Sequence, residues 1–519
     1  MQKLLLLGDE AIAQGALDAG ISGVYAYPGT PSTEIMEYVQ HAKQAEEDGI
    51  HRTWSANEKT AMEAAVGMSY AGKRSLVCMK HVGMNVAADS FMNAAITGAN
   101  GGLVILAADD PSMHSSQNEQ DSRYFGQFAF IPVFEPSNQQ EAYDMTRKAF
   151  DFSEEFQIPV LLRVTTRLAH SRSGVIRGEV RPQNPIKLHP NPKQFILLPA
   201  NARVQYAALL DKQPLFLAQS EQSTFNKYID GTDKSMGIIA SGIAYNYLME
   251  NYPDRNCPYP VLKISQYPLP KGLITRLADE CQCIMVMEEG YPLIEEQLRG
   301  LLNRGLNIKG RLDGFLPRMG ELNPNAVAVA LGMKDTQGEK IPDIVAARPP
   351  ALCTGCPHID SYNALNEAML PYGEGRVFSD IGCYTLGALP PYNAIYSTVD
   401  MGASITMAKG ASDAGLLPSV AVIGDSTFTH SGMTSLLDCI IENTAVTVMI
   451  LDNSTTGMTG GQDSHAFGRL ESICIGLGVE KEHIRIMKPL RNQHAVNVQI
   501  IQEELEYQGV SVLIPTREC

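Results

Sequence analysis

Residues 419–453 have the pattern of a strand, a helix and a second strand, and this pattern constrains the fold more than any other feature of the chain. Apolar runs at 419–423 and 445–451 enclose a stretch in which apolar side chains recur at helical spacing. Two strands joined by such a helix form the βαβ unit of parallel sheets. We therefore expect an α/β fold in which both strands end at the same edge of a sheet.

The polar residues after these two strands predict a site for Mg²⁺ and a diphosphate. Gly424 and Asp425 end the first strand, and Asn453 ends the second after 27 intervening residues. Because neighbouring parallel strands lie about 4.8 Å apart, the carboxylate and the amide oxygen can reach one ion. Backbone amides after Ser426 can donate to phosphate oxygens, and Thr455 can add a carbonyl ligand. Ordinary strand-end turns also favour these residue types and are the alternative.

Strand and helix patterns alternate along the rest of the chain and predict three α/β regions. The first spans 1–185, and a smaller one spans 190–330 after a stretch rich in Pro, Asn and Gln. The third spans 345–519 and follows a boundary loop at 335–350.

Composition excludes several classes of function. The chain has 519 residues, and its 41 basic and 57 acidic side chains give a formal net charge of −16, which would repel nucleic acid over most of the surface. No run of about 18 uncharged apolar residues predicts a membrane span. The start, MQKLLLLGDE, lacks the apolar stretch of a signal peptide. We expect a cytoplasmic protein that binds neither nucleic acid nor membrane.

Several motifs resemble those of thiamine diphosphate enzymes. The GD motif, followed at this distance by Asn453, is similar to their diphosphate-binding motif, and the loop 457–462 (GMTGGQ) resembles their 2-oxoacid:ferredoxin oxidoreductase branch. Six segments are similar to the large subunits of indolepyruvate ferredoxin oxidoreductases: 25–34 (YAYPGTPSTE), 56–67 (ANEKTAMEAAVG), 79–88 (MKHVGMNVAA), 352–358 (LCTGCPH), 379–387 (SDIGCYTLG) and 424–432 (GDSTFTHSG). The resemblance covers essentially the whole chain.

The resemblance implies a thiamine diphosphate-binding fold of two parallel-sheet cofactor domains with a transketolase-C-like α/β domain between them. The pyrimidine-binding domain would be 1–185, the middle domain 190–330 and the diphosphate-binding domain 345–519. Gly457 and Met458 would join the residues that bind the cofactor. The implied reaction is oxidative decarboxylation of a 2-oxoacid, an arylpyruvate such as indolepyruvate, to an acyl-CoA and CO₂, with electrons passed to ferredoxin.

Two alternatives stay open at this point. A non-oxidative thiamine-dependent decarboxylase would need no iron, and a non-catalytic subunit of such a complex would need no intact site. Glu58, Asp425 and Asn453 argue against the second alternative, because they are the residue types that the cofactor requires.

Glu58 is the candidate that activates the cofactor. In the superfamily that the chain resembles, a glutamate hydrogen-bonds the aminopyrimidine and favours loss of the thiazolium C2 proton. Glu58 is expected to begin a helix of the pyrimidine-binding domain, with small residues after it. The alternative is that Glu58 is simply a first-turn glutamate favoured by the helix dipole. Glu63, the neighbouring glutamate, is not expected at the start of the helix.

Five residues are candidates for contacts with the 2-oxoacid. Thr30 lies in the turn PGTPS and is similar to a substrate-contacting position of relatives, although a threonine there can simply cap a helix. Lys80 and His81 follow a strand and could meet a carboxylate. His358 and His430 lie near the diphosphate motifs, where structural roles are equally common for histidine. The basic residue that usually follows Cys-Pro-His in the family is replaced here by isoleucine and aspartate.

Four of the ten cysteines occupy places that hold a [4Fe–4S] cluster in pyruvate and 2-oxoacid oxidoreductases. Cys353 and Cys356 form a CxxC pair, Cys383 lies in the DIGC segment, and Cys519 follows the last strand pattern. A CxxC pair alone is equally compatible with zinc, a redox dithiol or iron–sulfur. By resemblance we expect the cluster, which can accept electrons one at a time.

The resemblance also implies partners. Large subunits of the family normally continue into a ferredoxin-like domain with two CxxCxxCxxxC runs, and this sequence has neither run. We therefore expect electrons to pass to ferredoxin or to another carrier protein. A companion small subunit would complete the enzyme and help to bind coenzyme A. Because the cofactor lies between two domains that commonly come from different chains, we expect a homodimer or a heterotetramer.

Overall fold

The computed structural model describes residues 3–191, 193–252, 254–301, 305–333, 341–346, 350–398 and 400–519. Contacts along the chain divide it into two compact units, Met1–Glu339 and Lys340–Cys519. Most of the predicted boundary loop at 335–350 lies outside the described residues. No helix in the described ranges is long and apolar enough to cross a membrane.

The first unit alternates strands and helices along its whole length. Its described strands are β1 (Lys3–Leu7), β2 (Gly23–Ala26), β3 (His51–Trp54), β4 (Ser75–Lys80), β5 (Leu103–Asp109), β6 (Val133–Phe134), β7 (Val160–Thr165), β8 (Arg172–Ile176), β9 (Lys227–Ile229), β10 (Gly237–Ser241), β11 (Val261–Ile264), β12 (Gln266–Tyr267), β13 (Ile284–Met287) and β14 (Ile308–Lys309). Its described helices are α1 (Gly8–Asp18), α2 (Thr33–His41), α3 (Lys43–Glu47), α4 (Glu58–Tyr70), α5 (His81–Val86), α6 (Ala88–Thr97), α7 (Arg123–Phe128), α8 (Gln139–Phe156), α9 (Thr166–His170), α10 (Pro199–Asp211), α11 (Gln213–Glu221), α12 (Ala244–Met249), α13 (Lys271–Glu280), α14 (Leu293–Arg299) and α15 (Pro324–Ala330).

Seven strands of the first unit form one sheet in the order β12-β6-β7-β5-β4-β2-β3. All neighbours in it are parallel except β12 and β6. Strands β4 and β5 are buried along their full length, as expected of the centre of a parallel sheet covered by helices. Helix α4 packs on β2 and β4, which fixes the position of its first residue, Glu58, relative to this sheet.

A second sheet of the first unit has the order β14-β13-β10-β11-β9. Strand β12 lies in sequence between β11 and β13 of this second sheet. It nevertheless pairs with β6 of the seven-stranded sheet, with Gln266 opposite Phe134. The two sheets therefore belong to one compact unit. The domain limits at 185 and 190 stay a prediction.

Buried ion pairs hold the first unit together, and one of them, between Arg123 and Glu288, connects its two sheet regions. The Arg123 guanidinium lies 2.9 Å from Glu288, which follows β13, and the Arg163 guanidinium lies 2.6 Å from Asp109 and also pairs with Glu135. All five side chains are almost fully buried. Loss of one partner of such a pair typically costs about 3–5 kcal/mol, because an uncompensated charge stays buried.

The second unit contains one six-stranded parallel sheet in the order β16-β15-β17-β18-β22-β21. Its described strands are β15 (Val377–Ser379), β16 (Ser397–Thr398), β17 (Val420–Gly424), β18 (Val446–Leu451), β19 (Thr455–Thr456), β20 (Gln462–Asp463), β21 (Ile484–Met487) and β22 (Val510–Pro515). Its described α-helices are α16 (Pro357–Met369), α17 (Ala403–Asp413), α18 (Asp425–Thr427), α19 (Met433–Glu442), α20 (Leu470–Leu477) and α21 (His494–Leu505). A π-helical turn, Phe428–Gly432, joins α18 to α19.

Candidate functional site

The ends of β17 and β18 bring three oxygen-bearing groups together. Gly424 lies opposite Leu451 in the parallel pair, so the residues that follow both strands share one sheet edge. The side-chain amide of Asn453 lies 3.2 Å from Asp425 Oδ1 and 2.9 Å from the Thr455 carbonyl oxygen, and its nitrogen donates to both when the amide is turned to satisfy its hydrogen bonds. The same amide turned over would present its oxygen to a cation held by Asp425 and Thr455.

The carboxylate of Asp425 is the charged member of this group. It is 2% exposed, and its Oδ2 atom has no hydrogen-bond partner among the described residues. Burial raises the pKa of Asp425 to about 7, and the nearby Asp452 acts in the same direction, whereas hydrogen bonds from Ser426 and Ser464 oppose the shift. A buried, incompletely bonded carboxylate beside two neutral oxygens fits a divalent cation that prefers oxygen ligands. The three residues predicted for Mg²⁺ therefore fit that ion.

Gly424 is required by packing. A Cβ atom at this position would lie 2.5 Å from the ring of Tyr384. The tyrosine ring therefore occupies the space that a side chain at position 424 would need. The Tyr384 hydroxyl donates to Asp380, whose pKa burial raises to about 7. Asp380 follows β15, the neighbour of β17, so its strand-end position was the signal that could have identified it.

The glycine-rich loop lies between the cofactor motif and a cysteine. Thr456 Oγ1 donates to Ser426 Oγ at 3.0 Å. A Cβ atom on Gly457 would lie 3.4 Å from the Cys383 sulfur, to which the Met458 N–H donates. A groove of about 660 Å³ follows this loop and is lined by Asn453, Ser454, Thr455, Gly457, Gly460, Gly461, Glu518 and Cys519. Its volume is in the usual range for a small-molecule site.

The four predicted cluster cysteines lie near one another. Burial, followed by charge repulsion from Cys519, Cys356 and Cys353, raises the pKa of Cys383 to about 11. No three of their sulfurs lie within 4.8 Å of one another, the spacing expected for ligands of one ion. In a cubane cluster each sulfur binds a different iron, so wider spacing suits it better than a single zinc.

Arg517 holds the end of the chain beside the CxxC pair. Its guanidinium donates to the carbonyl of Gly355, between the two cysteines, at 2.8 Å and to Asp360 at 2.9 Å. Cys519, two residues later, is thereby tethered close to Cys356. Asp360, one of the two residues that stand where the family usually has a basic one, therefore pairs with Arg517 in this chain.

The two candidate histidines of the second unit are buried. Burial, followed by the charge of Arg517, lowers the pKa of His358 to about 4, so this ring is neutral near pH 7. Its ring lies edge-on to Tyr384 at 6.4 Å. His430 Nδ1 lies 2.9 Å from Ser431 Oγ within the π-helical turn. The described contacts of both rings are with protein groups, and a substrate role for either stays a prediction.

In the first unit, Glu58 is held in place by helix packing. It opens α4, whose first turn is capped by Asn57 accepting from Thr60 N at 2.8 Å. The side chain is 6% exposed and lies against α5, because a Cβ atom on Gly83 would lie 2.7 Å from Glu58 Cγ and Oε1. Glu63, by contrast, is half-exposed and pairs with Lys59. The sequence distinction between the two glutamates agrees with this burial.

Thr30 and Lys80 lie together in the first unit. Lys80 Nζ donates to the carbonyl of Ser115 at 2.9 Å, and Ser115 Oγ donates to the Thr30 carbonyl at 3.3 Å. Burial lowers the pKa of Lys80 to about 8, while Asp110 opposes the shift. Sequence reasoning missed Asp110 and Ser115. The aspartate pair at the end of β5, Asp109 and Asp110, was the available signal for the first, and none marked the second.

The side chain of His81, the remaining candidate of the first unit, has one local contact. His81 Nε2 lies 3.2 Å from the Asn118 carbonyl, and its Nδ1 has no hydrogen-bond partner within the described part of the chain. A substrate contact of His81 stays a prediction. Ser32, which precedes α2, donates to the Gly29 carbonyl at 2.8 Å within the turn before the helix.

Comparisons with known families match both units. A family model described as pyruvate flavodoxin/ferredoxin oxidoreductase, thiamine diphosphate-binding, matches residues 14–203. A second, described as the C-terminal TPP-binding domain of thiamine pyrophosphate enzymes, matches residues 380–502. The first range contains Thr30, Glu58 and Lys80, and the second contains Asp425 and Asn453.

Whole-length relatives are also found. The indolepyruvate oxidoreductase subunit IorA of Archaeoglobus fulgidus is 39% identical over 547 residues, covering 100% of this chain and 86% of that protein. The protein of the same name from Methanothermobacter marburgensis is 38% identical over 544 residues, covering 100% and 87%. A structure of 2-oxoglutarate:ferredoxin oxidoreductase from Magnetococcus marinus matches with a TM-score of 0.51 and 15% identity, over 64% of this chain and 65% of that one. The predicted thiamine diphosphate-binding fold is confirmed.

Proposed function

Since the chain belongs to the family of indolepyruvate oxidoreductase IorA subunits, we propose that its 2-oxoacid substrate is an arylpyruvate such as indolepyruvate. The enzyme is a thiamine diphosphate-dependent oxidoreductase that decarboxylates a 2-oxoacid oxidatively. Membership of this family decides against the non-oxidative alternative. The proposed products are CO₂ and an acyl-CoA, with electrons passed to ferredoxin or another carrier.

The oxygen group at the ends of β17 and β18 is the observation that supports the cofactor site most directly. In the proposal, Asp425, Asn453 and Thr455 hold Mg²⁺, which holds the diphosphate. Gly424, Ser426, Gly457 and Met458 line the diphosphate end of the site, with backbone amides as donors. This assignment is supported by the buried Asp425 Oδ2, which has no hydrogen-bond partner among the described residues, and by the Asn453 amide and Thr455 carbonyl that lie close to each other and to Asp425.

Glu58 is the proposed catalytic residue. When bound, thiamine diphosphate supplies a nucleophilic carbon for the 2-oxo group and an electron sink for the loss of CO₂. The Glu58 carboxyl would hold the proton at the aminopyrimidine ring, which activates that carbon. Its burial against Gly83 keeps water away and leaves little freedom to turn aside.

Lys80 and Thr30 are the proposed substrate contacts of the first unit, with His81 beside them. The Lys80 ammonium is a natural partner for the carboxylate of a 2-oxoacid, and Asp110 near it favours the charged form. His358 and His430 are proposed for the same role in the second unit.

A [4Fe–4S] cluster on Cys353, Cys356, Cys383 and Cys519 is the proposed first electron acceptor. The proximity of the four cysteines supports it, because each ionised sulfur would repel the others unless positive iron were bound among them. A companion small subunit, coenzyme A, a cytoplasmic location and a homodimeric or heterotetrameric assembly complete the proposal.

Anaerobic purification followed by iron, sulfide and thiamine quantification tests the proposal. We expect about four irons per chain and an EPR signal after dithionite reduction. Cys356→Ser should lower the iron content, whereas Cys257→Ser, in the first unit, should not. Thiamine-dependent turnover of indolepyruvate with coenzyme A, measured with a viologen dye, tests the substrate. Full activity without iron would overturn the cluster assignment.

A further inference from the structure

The first unit contains a second group of metal-ligand side chains, none of which has a role in the proposed reaction. Asp9 lies in the first turn of α1, Glu34 in the first turn of α2, and His170 at the end of α9. One ligand atom from each residue lies within 4.8 Å of those from the other two. His170 Nε2 lies 3.3 Å from Glu34 Oε1. Three separate helices thus direct ligand atoms at one point.

Asp9 is the member that most needs a partner. Its side chain is 0% exposed, and neither of its carboxylate oxygens has a hydrogen-bond partner in the described part of the chain. Glu34 Oε2 is also buried without a partner there. Burying a polar group without a partner costs several kcal/mol, and more for a charge. The carboxylate must therefore acquire either a proton or a cation.

A protonated His170 could pair with Glu34, but the other acids nearby supply no positive charge for Asp9. Glu10, next in sequence, accepts from Leu7 N at 2.8 Å and lies 3.8 Å from Arg172. Asp110, on the other side of His170, accepts from Thr166 at 2.7 Å. Both acids add negative potential around the group and are themselves already bonded. The surroundings therefore favour a positive ion over a further anion.

We propose that Asp9, Glu34 and His170 bind one divalent first-row transition-metal ion. An imidazole nitrogen with two carboxylates suits such an ion, whereas Mg²⁺ and Ca²⁺ prefer oxygen ligands throughout. The side chains of His170 and Glu34 are 35% and 33% exposed, so one side of the site is open for entry of the ion and for water ligands. The bound ion would tie α1, α2 and α9 together, beside the turn that carries Thr30.

Mn²⁺ titration of the full chain, followed by the EPR signal of the free ion, tests this site. The chains are wild type, Asp9→Asn, His170→Ala, Asp425→Asn and His41→Ala. Asp9→Asn keeps the size of the side chain, and His170 is exposed enough for its removal to leave the fold intact. His41, an exposed histidine at the other end of α2, is the matched control.

We expect Asp9→Asn and His170→Ala each to lose one Mn²⁺ or to bind it at least about 10-fold more weakly. His41→Ala and Asp425→Asn should keep that ion. Mn²⁺ should raise the Tm of the wild type more than that of Asp9→Asn, which keeps only the proposed magnesium site. Equal binding by the wild type, Asp9→Asn and His170→Ala would overturn the proposal and leave a protonated Asp9. Asp425→Asn reports separately on the proposed magnesium site, so failure of one site is distinguishable from failure of the other.

Discussion

Glu58 is the residue on which the proposed chemistry depends most directly. Glu58→Gln keeps the size of the side chain and its position at the start of α4, and it removes the acidic proton. We expect kcat to fall by about 10²- to 10⁴-fold, the usual contribution of a general acid or base. Thiamine diphosphate binding, measured by calorimetry, should change little.

Glu63→Gln is the control for this variant, since Glu63 lies in the same helix and is half-exposed. Its turnover should match that of the wild type. If Glu58→Gln retained wild-type turnover, another group would have to activate the cofactor.

Asp425 is the residue that decides metal binding in the second unit. Asp425→Asn removes the charge and keeps the shape of a buried side chain. We expect Mg²⁺-dependent affinity for thiamine diphosphate to fall by at least about 10-fold, because even outer-shell partners of metal ligands contribute about 10- to 100-fold. Calorimetric titration of the cofactor measures this loss. Asp463→Asn, at an exposed position of β20, should bind normally, and equal losses in both variants would contradict a specific role for Asp425.

The sequence could predict that Asp425 and Asn453 lie close together, because a βαβ unit places its strand ends side by side whatever the rest of the fold does. It did not predict Asp380 or Asp110, which also follow strands. Asp380 accepts from Tyr384, only four residues later, and Asp110 acts on the buried Lys80, which ends a different strand. That these neighbours are buried together is visible only in the folded chain.

At the scale of elements, the contact between α4 and α5 is expected to set the position of Glu58. In Gly83→Ala the new methyl group would meet the Glu58 side chain, which must move because the helices cannot. We expect turnover to fall at least about 10-fold while Tm changes little, since a small misplacement of a catalytic group is costly. Gly67→Ala adds a methyl group to α4 in open space and should be fully active. Equal activity of the two variants would show that this contact does not position Glu58.

The buried acids after β13 predict a pH-dependent stability. Burial raises the pKa of Glu289 to about 8 from an ordinary 4.5, although Arg311 opposes the shift. The folded state therefore binds the proton more tightly than the unfolded state. The stability gained from this proton is complete below about pH 4.5 and is lost as the pH rises through about 8.

Glu289→Gln should remove this dependence because glutamine stays neutral. The Tm of Glu289→Gln minus that of the wild type should be more positive at pH 9 than at pH 5, by roughly 2–4 °C or more. About 1 kcal/mol of stability produces a Tm change of this size in a large domain. Glu250→Gln, at an exposed helix end, is the control and should show no such difference. A pH-independent effect of Glu289→Gln would mean that Glu289 is not the titrating group.

For the whole molecule, the three α/β regions could be predicted from alternating patterns, but their grouping into compact units could not. Strand β12 comes from the middle region and joins the first sheet at β6, and the pairs of Arg123 and Arg163 lie between distant segments. Pairing across such sequence distances depends on complementary surfaces that only the folded chain creates. Contacts between distant segments are therefore the part of the fold that is hardest to predict from a single sequence.

The proposed dimer predicts how its two chains combine to form each active site. Glu58 belongs to the first unit and Asp425 to the second, and the resemblance implies that one cofactor uses a pyrimidine-binding and a diphosphate-binding domain from different chains. In a dimer of one Glu58→Gln chain and one Asp425→Asn chain, one site would then carry both substitutions and the other would carry neither. If the two residues came from one chain, every site would carry one defect.

Coexpression of the two variants at equal levels therefore tests where the site is assembled. Random pairing makes half of the dimers mixed, and each mixed dimer has one intact site out of two, so we expect about a quarter of wild-type turnover. Each variant alone should be nearly inactive, which supplies the control. Mixed dimers, isolated through different tags on the two chains, should reach about half of wild-type turnover. Inactive mixed dimers would place Glu58 and Asp425 of each site in the same chain.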